Sequence, residues 1–245
     1  MKSGLFITGT DTGVGKTVVT AALCHCLVRQ SVSVGVMKPV ETGVPSTASP
    51  LTDAVRLKAA ARSDDALSLI RPYGFRSPVA PLTAGRLERK PIKLAKILGA
   101  FKVLRARHRL LVVEGVGGVH VPLTTSQDGL DLIVTMKMPV VVVGRTGLGG
   151  INHARLTIEA LRRRKIVVVA LVLNRPTLSS TREGALQERS TASILRECLT
   201  IPVIGPLPYV EEVQRRWHQG VADLANTACV KQLASLIRSC ARGNV

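Results

Sequence analysis

Aromatic residues are scarce in this chain, and their scarcity limits what it can bind. Among 245 residues there are one tryptophan, two tyrosines and three phenylalanines, 2% of the sequence. Proteins that hold single-stranded nucleic acid stack its bases on aromatic side chains, and few are available here. The net charge of +18 would suit an acidic partner, but the basic runs 105–109 and 162–165 are short and lie at predicted helix ends. We therefore expect no nucleic-acid partner, although the sequence does not explain the charge.

Long hydrophobic runs are also absent. No apolar run approaches the roughly 20 residues that a membrane-spanning helix requires, so we expect no membrane partner. Residues 1–5 lead directly into a predicted strand, which leaves no room for a signal peptide. With 46% hydrophobic residues the chain can bury a substantial core. These features predict a globular, cytoplasmic protein.

The spacing of a disulfide framework is missing as well. The cysteines form an odd set without regular spacing, namely Cys24, Cys26, Cys198, Cys229 and Cys240. The first two are two positions apart in a predicted helix, where they point to different faces and cannot easily share a metal ion. Free thiols are therefore expected, as in cytoplasmic proteins.

Short apolar strands alternate with helical stretches along the whole chain. Strands are predicted at 5–8, 34–38, 110–114, 140–144, 167–174 and 202–205. Helices are predicted at 16–29, 53–61, 92–106, 129–136, 152–164, 191–198 and 222–242, and loops at 45–50 and 71–82. This alternation predicts an α/β fold, a single domain over residues 1–245 with a mainly parallel sheet and helices on both faces.

The most informative segment is 9–17, which reads GTDTGVGKT and joins the first predicted strand to the first helix. Its glycines let successive backbone N–H groups converge on an anion, and the helix N-terminus adds the positive end of its dipole. In this P-loop layout Lys16 reaches the β- and γ-phosphates, and the Thr17 hydroxyl holds Mg²⁺. Thr10 stands where the common pattern has its first glycine. The segment predicts a P-loop NTPase-like fold that binds a nucleoside triphosphate.

Polar residues end two further predicted strands. Lys38 follows an apolar strand at the edge where α/β sheets bind ligands, and it can supply positive charge to a phosphoryl group or an anionic substrate. Glu114 ends another apolar strand, where phosphate-handling folds place a metal-binding acid. Asp53 opens a predicted helix, so helix capping and metal binding both fit it.

Two more segments carry binding chemistry. Asn174 ends an apolar strand with an amide that can read the edge of a purine. The segment 147–153, GLGGINH, opens a helix after a strand and forms a second anion-binding N-terminus, which suits a substrate carboxylate. His120 and His153 could act as acid or base, or be structural.

Taken in order, these segments resemble the dethiobiotin synthetase family over residues 4 to about 210. The matching segments are 9–17, 38–43 (KPVETG), 113–118 (VEGVGG), 150–153 (GINH), Asn174 and 205–208 (GPLP). Thr10 in place of the first P-loop glycine is a habit of that family. Two residues depart from some members, since Gly13 replaces an acidic residue and Val116 replaces an alanine. The first departure puts a side-chain role at position 13 in question.

The resemblance implies an ATP- and Mg²⁺-dependent ligase of biotin biosynthesis. Its substrates would be 7,8-diaminopelargonate and CO₂, and its products dethiobiotin, ADP and phosphate. One amine captures CO₂ as a carbamate, a carbamate oxygen attacks the γ-phosphate of ATP, and the neighbouring amine closes the cyclic urea. Positioning and charge stabilisation would dominate such a reaction.

The resemblance also implies a role for each matching position. The catalytic residues would be Thr12, Lys16 and Lys38, and the Mg²⁺ ligands Thr17, Asp53 and Glu114. The nucleotide would be held by Gly13, Val14, Gly15, Lys16, Thr17, Val18, Asp53, Glu114, Gly115, Val116, Gly117, Asn174, Arg175, Pro208, Tyr209 and Val210. Asn174 would recognise adenine. The substrate would be bound by Thr42, Gly149, Gly150 and Asn152, with its carboxylate at the last three across a homodimer interface.

Three alternatives share the P-loop. A partitioning-type ATPase, a nucleotide switch on DNA or membrane, would suit the basic charge, but such proteins carry an extra lysine five residues before the main one, where this chain has Asp11. An amidotransferase ligase of the cobyrinate type needs a further glutaminase domain, for which 245 residues leave no space. A plain kinase does not account for the segment 38–40. The ligase is therefore favoured, while its nucleotide selectivity is not determined by the sequence.

Overall fold

The computed structural model describes residues 3–45, 49–178 and 181–241. In chain order its elements are β1 (Ser3–Gly9), α1 (Lys16–Arg29), β2 (Val34–Met37), β3 (Val40–Glu41), α2 (Asp53–Ala60), α3 (Leu67–Ile70), β4 (Tyr73–Gly74), α4 (Pro81–Leu87), α5 (Leu94–Arg107), β5 (Leu110–Gly118), α6 (Gly129–Met136), β6 (Val140–Arg145), α7 (Gly150–Arg163), β7 (Val168–Asn174), α8 (Arg182–Cys198), β8 (Val203–Ile204), α9 (Glu212–Arg215), α10 (Trp217–Ala225) and α11 (Ala228–Ala241).

Six strands form a central sheet in the order β2-β5-β1-β6-β7-β8, and every neighbouring pair is parallel. Parallel neighbours require crossover connections, which the helices provide. The strand before the P-loop, β1, lies between β5 and β6. The chain therefore delivers the carboxyl ends of β2, β5 and β1 to one edge, where α/β sheets bind ligands.

Alternate side chains of each strand enter two separate cores. In β1, Leu5 and Ile7 pack with α1, α2, α10 and α11, while Phe6 between them packs with α5, α6 and α7 on the opposite face. Because both faces are covered, these strands are almost continuously apolar. The predicted α/β fold, with a parallel sheet covered on both sides, is confirmed.

Several element boundaries differ from the prediction. The single helix expected at 222–242 is two helices, α10 and α11, because the Thr227 hydroxyl donates to the Leu224 carbonyl (2.7 Å) and accepts from the Val230 N–H (3.4 Å). Residue 242 lies outside the described residues. Helix α8 begins at Arg182, nine residues earlier than expected, because the Thr181 side chain accepts from the Gly184 N–H.

Two predicted loops also have different outcomes. The segment 71–82 contains β4 and the first turn of α4, in which Pro81 occupies the first helical position, where a missing N–H costs nothing. Residues 46–48 of the segment 45–50 lie outside the described residues. Among the helices of the described ranges, none is long and apolar enough to cross a membrane.

Candidate active site

The P-loop segment leaves β1 and enters α1 through two glycines in the left-handed region, Gly13 (φ 75°) and Gly15 (φ 91°). A side chain at Gly15 would collide with the amide of Asn174. No side chain caps the N-terminus of α1, so its first N–H groups are available to an anion. The Lys16 Nζ donates to the Asp11 carbonyl (2.9 Å), which folds the loop over the lysine stem.

The pKa of Lys16 is lowered from 10.5 to about 8, mainly by burial and also by the positive charge of Lys38, while the charges of Glu114 and Asp53 oppose both effects. In the free protein this lysine is therefore about half deprotonated near pH 8. Phosphate groups beside it would favour its charged form.

Nucleotide affinity should therefore fall as the pH rises through about 8. A lysine whose pKa is lowered is fully charged only below that value, so above it phosphate binding must first restore the proton. We expect the dissociation constant of a non-hydrolysable ATP analogue to rise by up to about tenfold per pH unit between pH 8 and 10. Calorimetric titration of wild type and Lys16→Arg checks this, because arginine does not titrate there. A flat wild-type profile would contradict the role of Lys16.

The second charged group of the site is Lys38, directly after β2. Its Nζ lies 2.6 Å from Glu114 Oε1 in β5 and 2.8 Å from Asp53 Oδ2 at the start of α2, and it also donates to the Gly115 carbonyl (3.3 Å). Burial alone would lower the pKa of Lys38, but the two carboxylates outweigh it and the pKa is raised. Burial alone would raise the pKa of Asp53, but the positive charge and hydrogen bond of Lys38 outweigh this effect, and the pKa of Asp53 is lowered. Lys38 and Asp53 are therefore charged at neutral pH.

The three predicted metal ligands meet at this centre. The Thr17 hydroxyl donates to Glu114 Oε1 (2.8 Å) and lies close enough to Asp53 to help lower the pKa of that carboxyl. Glu114 is fully buried, and its Oε2 has no hydrogen-bond partner among the described residues. A buried carboxylate oxygen without a partner is costly, and an all-oxygen donor set suits a hard divalent cation. The residues present thus fit Mg²⁺.

Sequence reasoning missed the residue that holds Asp53 in place. Glu41, in β3, accepts from the backbone N–H groups of Asp53 and Ala54 and pairs with the Arg71 guanidinium (2.8 Å). It thereby caps α2, whose own N-cap residue Thr52 makes no side-chain cap. Because these partners are distant in the sequence, only the acidic side chain between Lys38 and Gly43 hinted at such a role.

Two adjoining clefts lie over the P-loop. The first, the reaction cleft, has a volume of about 310 Å³. Its predicted site residues are Thr12, Gly13, Gly15, Lys16, Thr17, Val18, Lys38, Thr42, Asp53, Val116 and Gly117. The second, the base cleft, has a volume of about 270 Å³. Its predicted site residues are Gly13, Gly15, Val18, Asn174, Arg175, Pro208, Tyr209 and Val210.

The amide of Asn174 bonds the P-loop itself. Its Nδ2 donates to the Val14 carbonyl (2.9 Å), and the side chain is buried. The contact fixes the P-loop against the end of β7 at the edge of the base cleft. Recognition of adenine by this residue stays a prediction.

Three predicted substrate residues lie apart from both clefts. Gly149 (φ 81°), Gly150 and Asn152 start α7 after β6 and line neither the reaction cleft nor the base cleft. Their role at a homodimer interface stays a prediction. His120 is largely exposed, pairs with Asp128 (2.9 Å) and lines neither cleft.

Comparison with known proteins decides the family. The family described as an AAA domain matches residues 3–216. The ATP-dependent dethiobiotin synthetase BioD of Thermodesulfovibrio yellowstonii is 38% identical over 224 residues, 88% of this chain and 92% of that protein. That of Anaeromyxobacter dehalogenans is 42% identical over 215 residues, 87% of this chain and 93% of that protein. This chain belongs to the dethiobiotin synthetase family. The resemblance seen in the sequence is thereby confirmed.

The fold is shared more widely than the family. A ParA family ATPase from Chlorobium tepidum has a TM-score of 0.55 at 14% identity, and the match covers 99% of each chain. At that identity the likeness shows a common P-loop fold and nothing about activity.

Proposed function

We propose that this protein is an ATP-dependent dethiobiotin synthetase, a single ligase domain over residues 1–245. It would carboxylate 7,8-diaminopelargonate with CO₂ and close the ring to dethiobiotin, with release of ADP and phosphate. The observation that carries the proposal is the centre of Lys38, Glu114 and Asp53 beside a P-loop, in a cleft large enough for a small anionic substrate.

The chemistry requires positive charge at two points of one cleft, and both lysines line it. When the carbamate oxygen attacks the γ-phosphorus, the bond to the β,γ-bridging oxygen breaks and ADP leaves with the bonding electrons. Lys16 and Lys38 would stabilise the charge that develops on the phosphoryl oxygens. The second amine then attacks the carbamoyl carbon, phosphate leaves with the C–O electrons, and the amine releases a proton. Thr12 and Thr42 would orient the carbamate or the amine.

Mg²⁺, when bound, would supply charge neutralisation for the nucleotide phosphates. Its ligands would be Thr17, Asp53 and the unpartnered oxygen of Glu114. The Gly115 carbonyl accepts from Lys38, and Gly117 lines the reaction cleft, where its backbone would allow close approach to phosphate.

The remaining predicted residues complete the proposal. The nucleotide base would occupy the base cleft beside Asn174, between Arg175 and the segment 208–210. The substrate carboxylate would bind at Gly149, Gly150 and Asn152 of a second copy, in a cytoplasmic homodimer without nucleic-acid or membrane partners. Such an arrangement accounts for the distance of these three residues from the clefts of their own chain.

The proposal is tested by phosphate release from ATP and Mg²⁺, with and without diaminopelargonate and bicarbonate. We expect release that depends on the diamine. Release that is indifferent to the diamine but stimulated by DNA would refute the ligase and favour the partitioning-type switch.

A further inference from the structure

Two residues outside every predicted set stand where the clefts meet. The Arg56 guanidinium carbon, on α2, lies 4.2 Å from the centre of the Trp217 ring at the start of α10. Both residues line the reaction cleft and the base cleft. Three residues of the P-loop region also line both clefts, namely Gly13, Gly15 and Val18. A nucleotide that extends from one cleft to the other must therefore pass between the P-loop and this pair.

The Arg56 guanidinium has a hydrogen-bond donor that is not used within the described part of the chain. Its Nε is buried and has no hydrogen-bond partner among the described residues. A guanidinium stacked on an aromatic ring uses its flat face, which leaves the N–H groups at its edge free to donate. Those donors form a planar fork that matches phosphate oxygens.

The position of Arg56 on its helix supports the same role. It follows Asp53 by three residues, so both lie on one face of α2, and that face is turned to the reaction cleft. Glu41 fixes the start of this helix, and Trp217 fixes the guanidinium. The Arg56 side chain is thus already ordered across the cleft from the P-loop before a nucleotide binds. Binding therefore costs little additional side-chain entropy at this residue.

We propose that Arg56, held on Trp217, is a nucleotide-binding residue that donates hydrogen bonds to the phosphate chain of the nucleoside triphosphate where the two clefts meet. The identification of that nucleotide as ATP rests on the proposed function. Arg56 supplies a charge from outside the P-loop, on the opposite wall of the cleft. In this role Trp217 positions the arginine and covers the same stretch of nucleotide.

The chain carries its own probe, because Trp217 is the one tryptophan in the sequence. We expect its fluorescence to change saturably when the wild type is titrated with a non-hydrolysable ATP analogue and Mg²⁺. In Arg56→Gln the dissociation constant, measured by calorimetry, should rise by about 10- to 100-fold, as expected for the loss of charge-assisted hydrogen bonds. Arg56→Lys, which keeps the charge but not the fork, should lose less.

The matched control is Arg105→Gln, which removes another arginine stacked on an aromatic ring, that of Phe101, on α5. It should bind the analogue as the wild type does. If Arg56 serves only to tie α2 to α10, Arg56→Gln will lower the unfolding midpoint of the free protein and leave nucleotide affinity unchanged, which overturns the proposal. A wild type that binds the analogue but closes no ring would refute the ligase function alone, because the Arg56 titration needs no diamine.

Discussion

Lys38→Met is expected to lower kcat for diamine-dependent phosphate release by about 10²- to 10³-fold, the loss typical of removing one group that stabilises transition-state charge. The lysine is buried at the end of β2, and its ammonium lies in the reaction cleft between Glu114 and Asp53. Methionine keeps much of the length and the apolar stem but not the charge. Since the proposal places the nucleotide base in the base cleft, KM for ATP should change much less than kcat.

The matched control for this prediction is Lys102→Met, because Lys102 is exposed on α5, away from both clefts. It should retain wild-type kcat. A Lys38→Met protein that folds, binds the ATP analogue and keeps a kcat within threefold of wild type would contradict a role of Lys38 in the reaction.

Glu114→Gln and Lys38→Met should each lower the free energy of unfolding by about 3–5 kcal/mol, because each leaves a buried charge without its nearest partner. Their ammonium and carboxylate are 2.6 Å apart, and Glu114 is fully buried. The double variant removes both buried charges and leaves only the partly exposed Asp53 without Lys38, so it should lose clearly less than the sum of the two single losses. Urea unfolding of the four proteins at pH 7, without nucleotide or Mg²⁺, measures the difference.

Additive losses in this cycle would mean that the two groups do not interact in solution. Asp53 provides an internal comparison, because its side chain is 32% exposed. Asp53→Asn should therefore destabilise the free protein less than Glu114→Gln, since water screens the attraction between the partly exposed Asp53 and Lys38, and Lys38 keeps Glu114 as a partner.

Features fixed by local order were predictable from the sequence. The P-loop directly joins β1 to α1, and Lys38 and Glu114 lie at the neighbouring strands β2 and β5 of the same sheet. Lys38 follows β2 directly, whereas β5 continues to Gly118, so Glu114 lies inside its strand and not at its end as predicted. In a parallel sheet, strand-end residues share one edge. The sequence therefore predicts that Lys38, Glu114 and the P-loop lie close together at one edge of the sheet.

Features that depend on tertiary contacts were not predictable. The carboxylate of Asp53 reaches Lys38 only because Glu41 caps α2, and Glu41 in turn pairs with Arg71. No periodicity or spacing links those positions. For the same reason the stacking of Arg56 on Trp217, far along the chain, left no signal in the sequence.

The ends of some helices were likewise not predictable from the sequence. The break between α10 and α11 follows from a single threonine hydroxyl, Thr227, inside an otherwise continuous helical pattern. Threonine is compatible with a helix interior as well as with a cap. Only the surrounding packing decides between the two.

The most direct test of the account is to supply ¹³C-labelled bicarbonate with ATP, Mg²⁺ and diaminopelargonate and to measure label in the product together with phosphate. A dethiobiotin synthetase must form one labelled urea carbonyl for every phosphate released, and both should be lost together in Lys38→Met. Phosphate release without label in a cyclic urea would contradict the proposed reaction, whatever the affinity of the protein for ATP.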